Sequence, residues 1–171
     1  MSQHYAPPAT PSVTIRPAEM SDVSETWVRW LNDPKVTQYS KQRLKTHTLD
    51  SQSAFLSQRL LDESRVVYLA FLYGTHIGTG EILYIRNSDE GACAEVSYMI
   101  GERCCWGKGI GRQLVNLLCK EAFKNKNIRK VQAGAHRENI GSHKVLLSNG
   151  FKISKERNSD TYFILDREDF I

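Results

Sequence analysis

The amino-acid sequence predicts a single α+β domain with one mixed, mostly antiparallel sheet and helices on both faces. The predicted elements run strand, two helices, three strands, helix, strand, helix and two strands. The 171 residues are 40% hydrophobic and 25% charged, which is ordinary for one globular domain. No internal repeat interrupts them, so we expect one domain over residues 13–171 after a flexible tail at 1–12 that is rich in Pro, Ala, Ser and Thr.

The first third of the chain predicts a strand and two helices. Val13–Arg16 alternates like a strand, Ser21 is the expected N-cap of the first helix, and Pro34 lies just beyond its end. Thr48 or Asp50 is expected to start the second helix. The apolar residues at helical spacing are Val23, Trp27, Trp30 and Leu31 in the first helix, and Leu49, Phe55, Leu56, Leu60 and Leu61 in the second.

The middle of the chain predicts three strands and a helix. Val66–Leu72 and Ile77–Ile85 are predicted to pair antiparallel around Gly74, and Ala94–Ile100 is the next strand. A helix is predicted to follow the glycine-rich segment, with one apolar stripe against the sheet. That stripe is formed by Ile110, Leu114, Leu117 and Leu118.

The last third of the chain predicts a strand, a short helix and two closing strands. Lys130–Ala135 is the strand, and Asn139–Ser148 is the helix, which Asn149-Gly150 ends. Phe151–Ser154 and Tyr162–Leu165 complete the sheet.

Between a predicted strand and a predicted helix, three alternating glycines indicate a phosphate-binding turn. Gly107, Gly109 and Gly111 carry no side chain where the backbone curls, so free N–H groups and the positive end of the helix dipole can face a pyrophosphate. A Walker loop is excluded because Gly107-Lys108 is followed by Gly109 instead of Ser or Thr. A dinucleotide fingerprint is excluded because Arg112 stands where its third glycine belongs. The remaining diphosphate ligand is coenzyme A.

This turn resembles motif A of the GNAT acetyltransferase superfamily, whose Q/R-x-x-G-x-G/A loop binds the coenzyme A pyrophosphate. Trp106 replaces the usual Gln or Arg, and its Trp-Gly-Lys-Gly turn is similar to that of ribosomal-protein N-terminal acetyltransferases. Trp30–Val36 resembles the early helix end of that branch, and Asn139–Ser142 through Gly150-Phe151 resembles its motif B. The three matches fall in order within residues 13 to 165.

The resemblance implies a GNAT-like sheet with a splayed pair of central strands and acetyl coenzyme A as co-substrate between them. It implies that the turn holds the phosphates, that Met99 and Ile100 line the pantetheine, and that Asn139 touches this arm. A backbone N–H at the end of that strand is expected to stabilise the oxyanion. The residues expected at the cofactor are Met99, Ile100, Trp106, Gly107, Lys108, Gly109, Ile110, Gly111, Arg112, Asn139 and Lys144.

The catalytic assignments also come from the resemblance. Glu95 resembles a general-base glutamate in a similar Ala-Glu-hydrophobic context. A solvated strand residue or a carboxylate that orients the acceptor is the alternative role, and Glu81 is the second choice as base. Many relatives return a proton to the thiolate from a tyrosine of motif B, but this chain has Leu146 there. Ser142 is the expected substitute, with capping as its alternative role, and His136 is a further proton-transfer candidate.

The predicted function is acetyl transfer from acetyl coenzyme A to a primary amine by direct attack. The amine belongs to a protein N-terminus or a small molecule, and an amino sugar or its nucleotide is the alternative acceptor. A non-catalytic acyl coenzyme A sensor is the alternative of another class. A nucleotide-dependent kinase is disfavoured because the chain has no Gly-Lys-Ser/Thr sequence in this turn. Basic and aromatic residues at the entrance for an anionic acceptor would be Arg29, Tyr39, Lys41 and Arg43.

Composition and cysteine usage narrow the expected partners. The formal net charge of +4 is modest and its basic residues are scattered, so no nucleic-acid partner is expected. No long apolar stretch or signal peptide stands out, so we expect no membrane contact and a cytoplasmic protein, monomeric or homodimeric. The four cysteines form no C-x-x-C pair, which favours reduced thiols over a metal site and disfavours a cysteine nucleophile.

Overall fold

The computed structural model describes residues 11–85 and 92–170. Its strands are β1 (Val13–Pro17), β2 (Arg65–Leu72), β3 (Thr75–Ile85), β4 (Cys93–Ile100), β5 (Lys130–His136), β6 (Lys152–Arg157) and β7 (Asp160–Asp166). Its α-helices are α1 (Glu25–Asn32), α2 (Leu49–Leu60), α3 (Ile110–Lys124) and α4 (Ile140–Ser148). The order of elements is the predicted one.

The strands form one seven-stranded sheet in the order β1-β2-β3-β4-β5-β7-β6. Every neighbouring pair is antiparallel except β4 and β5, which are parallel. This arrangement confirms the predicted mixed, mostly antiparallel sheet. A parallel pair needs a long crossover connection, and the segment that contains α3 supplies it between β4 and β5.

Two apolar cores cover the two faces of the sheet. The larger core packs α3 and α4 against the strands, and Leu114, Leu118 and Leu146 are fully buried in it. The smaller core packs α1 and α2 against the opposite face around Trp30 and Leu56. Helices on both faces are therefore confirmed, and each face of β4 meets a different helix layer.

The predicted start of the first helix at Ser21 is wrong. Ser24 is the N-cap instead, and its side chain accepts a hydrogen bond from the Trp27 N–H. Asp22 has a different role, because it forms an ion pair with Arg16 and accepts from the Glu19 N–H, which closes a separate 3₁₀ turn. Val23 consequently lies outside α1.

The other element boundaries follow local signals more closely. Thr48 is the N-cap of α2, where it shares a reciprocal capping box with Ser51, so the first of the two predicted starts is correct. β6 begins at Lys152 and runs to Arg157, further than predicted, because it pairs along β7 as a hairpin. Phe151 lies in the core before that strand.

The N-terminal segment joins the domain through α3. The Gln113 side chain donates to the Pro11 carbonyl at 2.8 Å and accepts from the Val13 N–H at 3.0 Å. Residues 1–10, which contain most of the predicted tail, and residue 171 lie outside the described residues.

α1 is fastened to the end of β4 by Glu102 and a glycine contact. Glu102 accepts a hydrogen bond from the Trp30 indole at 3.0 Å and forms an ion pair with Arg29 at 2.8 Å. The Trp30 ring covers Gly101 so closely that an added Cβ would lie 1.9 Å from a ring carbon. The segment leading into the glycine turn is thereby held against α1.

Gly101→Ala is expected to lower the free energy of unfolding by about 1–3 kcal/mol, because the Trp30 ring must leave its site. Urea unfolding measures the loss, with Gly134→Ala as the matched control. A Cβ at Gly134 meets Tyr162 at an ordinary 3.7 Å. Equal unfolding midpoints for the two variants would contradict the contact.

Candidate active site

The central strands β4 and β5 pair over only three residues and then separate. Their parallel register joins Cys93–Glu95 to Lys130–Gln132. Beyond it β4 stays with β3 as far as Ile100, while β5 follows β7 as far as His136. The second halves of the two strands therefore flank an opening in the sheet, and the splay that the family resemblance implied is confirmed. A linear ligand can enter there and meet strand backbone.

The glycine turn stands at the end of β4 and leads into α3. Gly107 and Gly109 have φ angles of 72° and 76°, in the left-handed region that favours glycine. An added Cβ at either position meets nothing within 4 Å, so the space over the turn is open. Gly109 is also the N-cap of α3, with no side-chain cap. The first N–H groups of a 15-residue helix thus face this space.

Trp106 links the glycine turn to the end of β4 through a hydrogen bond. Its indole N–H donates to the Ile100 carbonyl at 2.9 Å, while 44% of the residue remains exposed. The bond spans the short 3₁₀ turn at Arg103–Cys105. Trp106 therefore fixes where the turn begins relative to β4.

The other residues predicted at the phosphates divide between surface and core. Lys108, Arg112 and Lys144 are exposed, as phosphate-binding cations need to be. Ile110 is 1% exposed, so only its backbone can face a ligand. A Cβ on Gly111 would lie 3.3 Å from Val145, so this glycine permits close packing of α3 against α4.

The start of α4 brings two hydroxyl groups together below the opening. Asn139 is the N-cap, and its side-chain oxygen accepts from the Ser142 N–H at 3.1 Å. The Ser142 hydroxyl lies 3.0 Å from the Tyr98 hydroxyl. Burial raises the pKa of the Tyr98 phenol above its usual range, so the phenol stays protonated at neutral pH.

Sequence reasoning missed the Tyr98 side chain. Leu146, which occupies the usual tyrosine position, is fully buried in the core. Tyr98 reaches Ser142 from β4 instead, because alternation along that strand turns Tyr98 toward α3 and α4. A tyrosine among the core-facing residues Ala94, Val96 and Ile100 was the available signal.

The predicted pantetheine and base residues lie on two faces of β4. Ile100 packs with the α3 core, whereas Met99 packs with the α1 and α2 core. Glu95 shares the face of Met99 by alternation, is exposed, and accepts from the Gln132 amide at 3.2 Å. It occupies the last paired position of β4, at the closed end of the opening.

Two other proton-transfer candidates are occupied by partners. Glu81 forms ion pairs with Arg65 and with Arg59, the latter at 3.1 Å. His136 accepts the Glu138 N–H at its Nδ1 atom, which places a neutral ring's proton on Nε2. The Tyr39 ring stacks on His136 at 5.4 Å. The Glu81 carboxylate and the Nδ1 atom of His136 therefore already have partners within the protein.

A groove lined by both polar and apolar side chains adjoins β4 on the face of α1 and α2. It encloses about 510 Å³ and contacts β4 at Ser97, Tyr98 and Met99. We call it the acceptor groove, because it meets the splayed half of β4 from the face opposite α3. The rest of its lining comes from α1, the 40–47 segment, α2, β2 and β3: Trp27, Leu31, Ser40, Gln42, Lys45, Thr46, His47, Ser51, Gln52, Phe55, Arg59, Val67, Thr79, Gly80 and Glu81.

Of the four residues predicted at the acceptor entrance, two lie beside the acceptor groove and two contact other residues. Arg29 is engaged with Glu102, and Tyr39 with His136. Lys41 and Arg43 lie on the 3₁₀ turn at Lys41–Leu44, which neighbours the lining residues Gln42 and Lys45.

The four cysteines are free thiols. Cys119 is buried, which raises its pKa to about 12, and burial also raises the pKa of Cys105. Among the described residues, no group of three His, Cys, Asp or Glu side chains is placed to hold a metal ion. In the same part of the chain, no helix has the length and apolar character to cross a membrane.

The sheet and turn define a class of protein that holds a diphosphate-bearing donor between separated central strands. Residues 12–152 match the model of the acetyltransferase (GNAT) domain. The chain is 30% identical over 149 residues to an uncharacterized N-acetyltransferase, p20, of Bacillus licheniformis, covering 84% of this chain and 80% of the relative. It is 24% identical over 150 residues to the type 1 aminoglycoside N(6')-acetyltransferase of Klebsiella pneumoniae, covering 82% and 74%.

Solved structures show the same fold. The aminoglycoside acetyltransferase AAC(6')-Ib with coenzyme A and kanamycin superposes with a TM-score of 0.79 at 23% identity, covering 92% of this chain and 96% of the other. The spermidine N-acetyltransferase of Vibrio cholerae with CoA and spermine superposes with a TM-score of 0.76 at 17% identity, covering 92% of this chain and 97% of the other.

The chain belongs to the GNAT acetyltransferase family. It is an acyltransferase with acetyl coenzyme A as co-substrate. The turn fits that ligand, because its two left-handed glycines leave open space over the N-terminus of α3.

Gly109→Ala is expected to weaken coenzyme A binding about tenfold, because a left-handed alanine costs about 1–2 kcal/mol and the turn must relax away from the phosphates. Isothermal titration calorimetry measures the affinity. Gly74→Ala is the matched control, since Gly74 has φ 78°, nothing within 4 Å of its Cβ, and a place in the β2–β3 hairpin, outside the glycine turn. An equal loss of affinity in both variants would show that the effect is global.

Proposed function

We propose that this enzyme transfers the acetyl group of acetyl coenzyme A to a primary amine by direct attack. One observation carries the proposal: the opening between β4 and β5 meets the glycine turn at one end and borders the acceptor groove along β4. Donor and acceptor would thus approach the same five-residue stretch of β4 from different sides. Bringing two reactants together in this way removes much of the entropic cost of their encounter.

The donor would be held mainly by backbone. The turn N–H groups of residues 107–111 would bind the pyrophosphate, with Lys108, Arg112 and Lys144 as surface cations. Asn139 uses its side-chain oxygen to cap α4, so its amide NH₂ is the part that would face the pantetheine arm. Met99, Ile100 and the backbone of β4 would border that arm, and a β4 N–H would face the developing oxyanion.

Glu95 would take the proton from the acceptor amine. An α-amino group has a pKa of about 8 and an alkyl ammonium about 10.4, so the amine must lose a proton before it attacks at neutral pH. Glu95 is exposed on the acceptor face, and within the described part of the chain its side chain accepts a hydrogen bond from the Gln132 amide. Its position at the closed end of the opening favours transfer through water.

Ser142 and Tyr98 would return a proton to the coenzyme A thiolate. The two hydroxyls are 3.0 Å apart, and the buried phenol stays protonated at neutral pH. Tyr98 would hold the Ser142 hydroxyl and resupply its proton, so that the pair together does what a motif B tyrosine does alone in many relatives.

The acceptor amine would belong to a protein N-terminus or a small molecule, with an amino sugar or its nucleotide as the alternative. The turn sequence Trp-Gly-Lys-Gly supports the ribosomal-protein branch. The named relatives act on aminoglycosides and spermidine, which supports a small amine. Both acceptor classes present a primary amine, and the chemistry of the site is common to them.

Thiol release from acetyl coenzyme A against N-terminal peptides, amino sugars, sugar nucleotides and polyamines, with product mass confirmed, tests the function. Glu95→Gln is expected to lower kcat about 100-fold with coenzyme A affinity unchanged, because it removes the base. Glu156→Gln, on the exposed strand β6, is the control. Full turnover by Glu95→Gln would remove Glu95 from catalysis.

Ser142→Ala and Tyr98→Phe are each expected to lower kcat about 10- to 100-fold while the KM for acetyl coenzyme A stays within about twofold. The double variant is expected to be little worse than either single one, since the two groups act as one relay. Steady-state kinetics measures the set. Additive losses would show that Tyr98 acts independently of Ser142.

A further inference from the structure

Within the described part of the chain, the charged side chains that line the acceptor groove are two cations, Lys45 and Arg59, and one carboxylate. Among the described residues, Glu81 is its one lining carboxylate, and Arg59 and Arg65 both pair with it. Lys45 also lines the groove and forms no ion pair within the described residues. Glu95, on the same face of β4, lies outside the lining.

The segment that forms one wall of the groove is rich in basic residues. Residues 40–47 read SKQRLKTH and contain three Lys or Arg residues and no acidic one, and of those three Lys45 lines the groove. The Nε2 atom of His47 lies 3.1 Å from the Gln42 carbonyl, which an N–H of the ring satisfies. A molecule entering past this wall therefore meets donors and cations.

A buried amide in the groove lacks a partner. Gln52 is 3% exposed, and its Nε2 has no hydrogen-bond partner among the described residues. An unsatisfied buried N–H costs about 1–3 kcal/mol, so an oxygen atom brought to this wall would gain from pairing with it. Gln52 sits on α2 one residue after Ser51, another lining residue with a hydrogen-bonding side chain.

From these features we infer the charge class of the acceptor, given the acetyl-transfer function proposed above. The acceptor is a small amine that also carries an anionic oxygen group, a carboxylate or a phosphate, and lacks a second ammonium. Lys45 and the Gln52 amide would receive the anionic oxygens, while the amine points to β4. The Glu81 carboxylate already forms ion pairs with the guanidinium groups of Arg59 and Arg65, so it would not bind an ammonium group of the acceptor.

This inference separates the chain from two of the proteins that it resembles in shape. Kanamycin and spermine, present in two of the superposed structures, are polycations. A polycation in this groove would set ammonium groups against Lys45 and Arg59 with one neutralised carboxylate nearby. Like charges in a partly desolvated site disfavour binding, whereas an anion gains from the same field.

Calorimetric titration of the protein saturated with coenzyme A tests the inference with matched probes. Glucosamine 6-phosphate against glucosamine, and alanyl-alanine against its C-terminal amide, differ within each pair by an anionic group at a similar amine. The anionic member of at least one pair is expected to bind about tenfold more tightly, and the two pairs distinguish phosphate from carboxylate. Spermidine and kanamycin are expected to bind weakest.

Two variants locate the effect. Lys45→Gln is expected to remove most of the preference for the anionic probe, whereas Lys120→Gln on α3, outside the groove, keeps it. Gln52→Met is expected to lower the affinity for the same probe without lowering the urea midpoint, because it deletes an unpaired donor while keeping the volume. A purely structural glutamine would leave the affinity unchanged.

Several results would overturn the inference. These are equal binding within both pairs, tighter binding of spermidine or kanamycin, binding of no probe, or an unchanged preference in Lys45→Gln. The saturation step separates this failure from that of the proposed function. A protein that fails to bind coenzyme A contradicts the proposed function, whereas one that binds it and prefers spermidine contradicts only the charge class.

Discussion

The separation of β4 from β5 after three residue pairs is the constraint on which the site depends. Each strand keeps its outer partner, β3 or β7, so the sheet stays continuous while its centre opens. Strand backbone buried without partners is costly, which makes such an opening a natural place for a ligand that supplies hydrogen bonds. The larger core remains closed beneath it because α3 and α4 pack together across Gly111.

The side chains proposed to move protons lie on the two faces of one strand. Tyr98 faces α4 and pairs with the Ser142 hydroxyl. Met99 packs with α1 and α2, and the exposed Glu95 shares the face of Met99 by alternation. Glu102 and the Trp30 ring over Gly101 fix the end of that strand, and the Trp106 indole fixes the turn that follows. Rigid attachment at both points would let backbone groups, which carry no adjustable side chain, hold the donor in one position.

Features set by neighbouring residues could be predicted from the sequence, and features set by distant contacts could not. The tight glycine turn and the Thr48 cap depend on a few adjacent residues; the turn was predicted, and Thr48 was one of the two predicted starts of α2. The choice of Ser24 over Ser21 depended on the ion pair of Asp22 with Arg16, which the local pattern does not show. The Tyr98–Ser142 pair spans 44 positions, so only the folded sheet reveals it.

The most direct test of the account is a crystal structure of the protein with bound coenzyme A. The account predicts that the pyrophosphate contacts the backbone N–H groups of residues 107–111 and that the pantetheine arm lies between β4 and β5. The thiol would then end between Ser142 and the acceptor groove. A coenzyme bound elsewhere, or a bound state in which β4 and β5 pair along their full length, would contradict it.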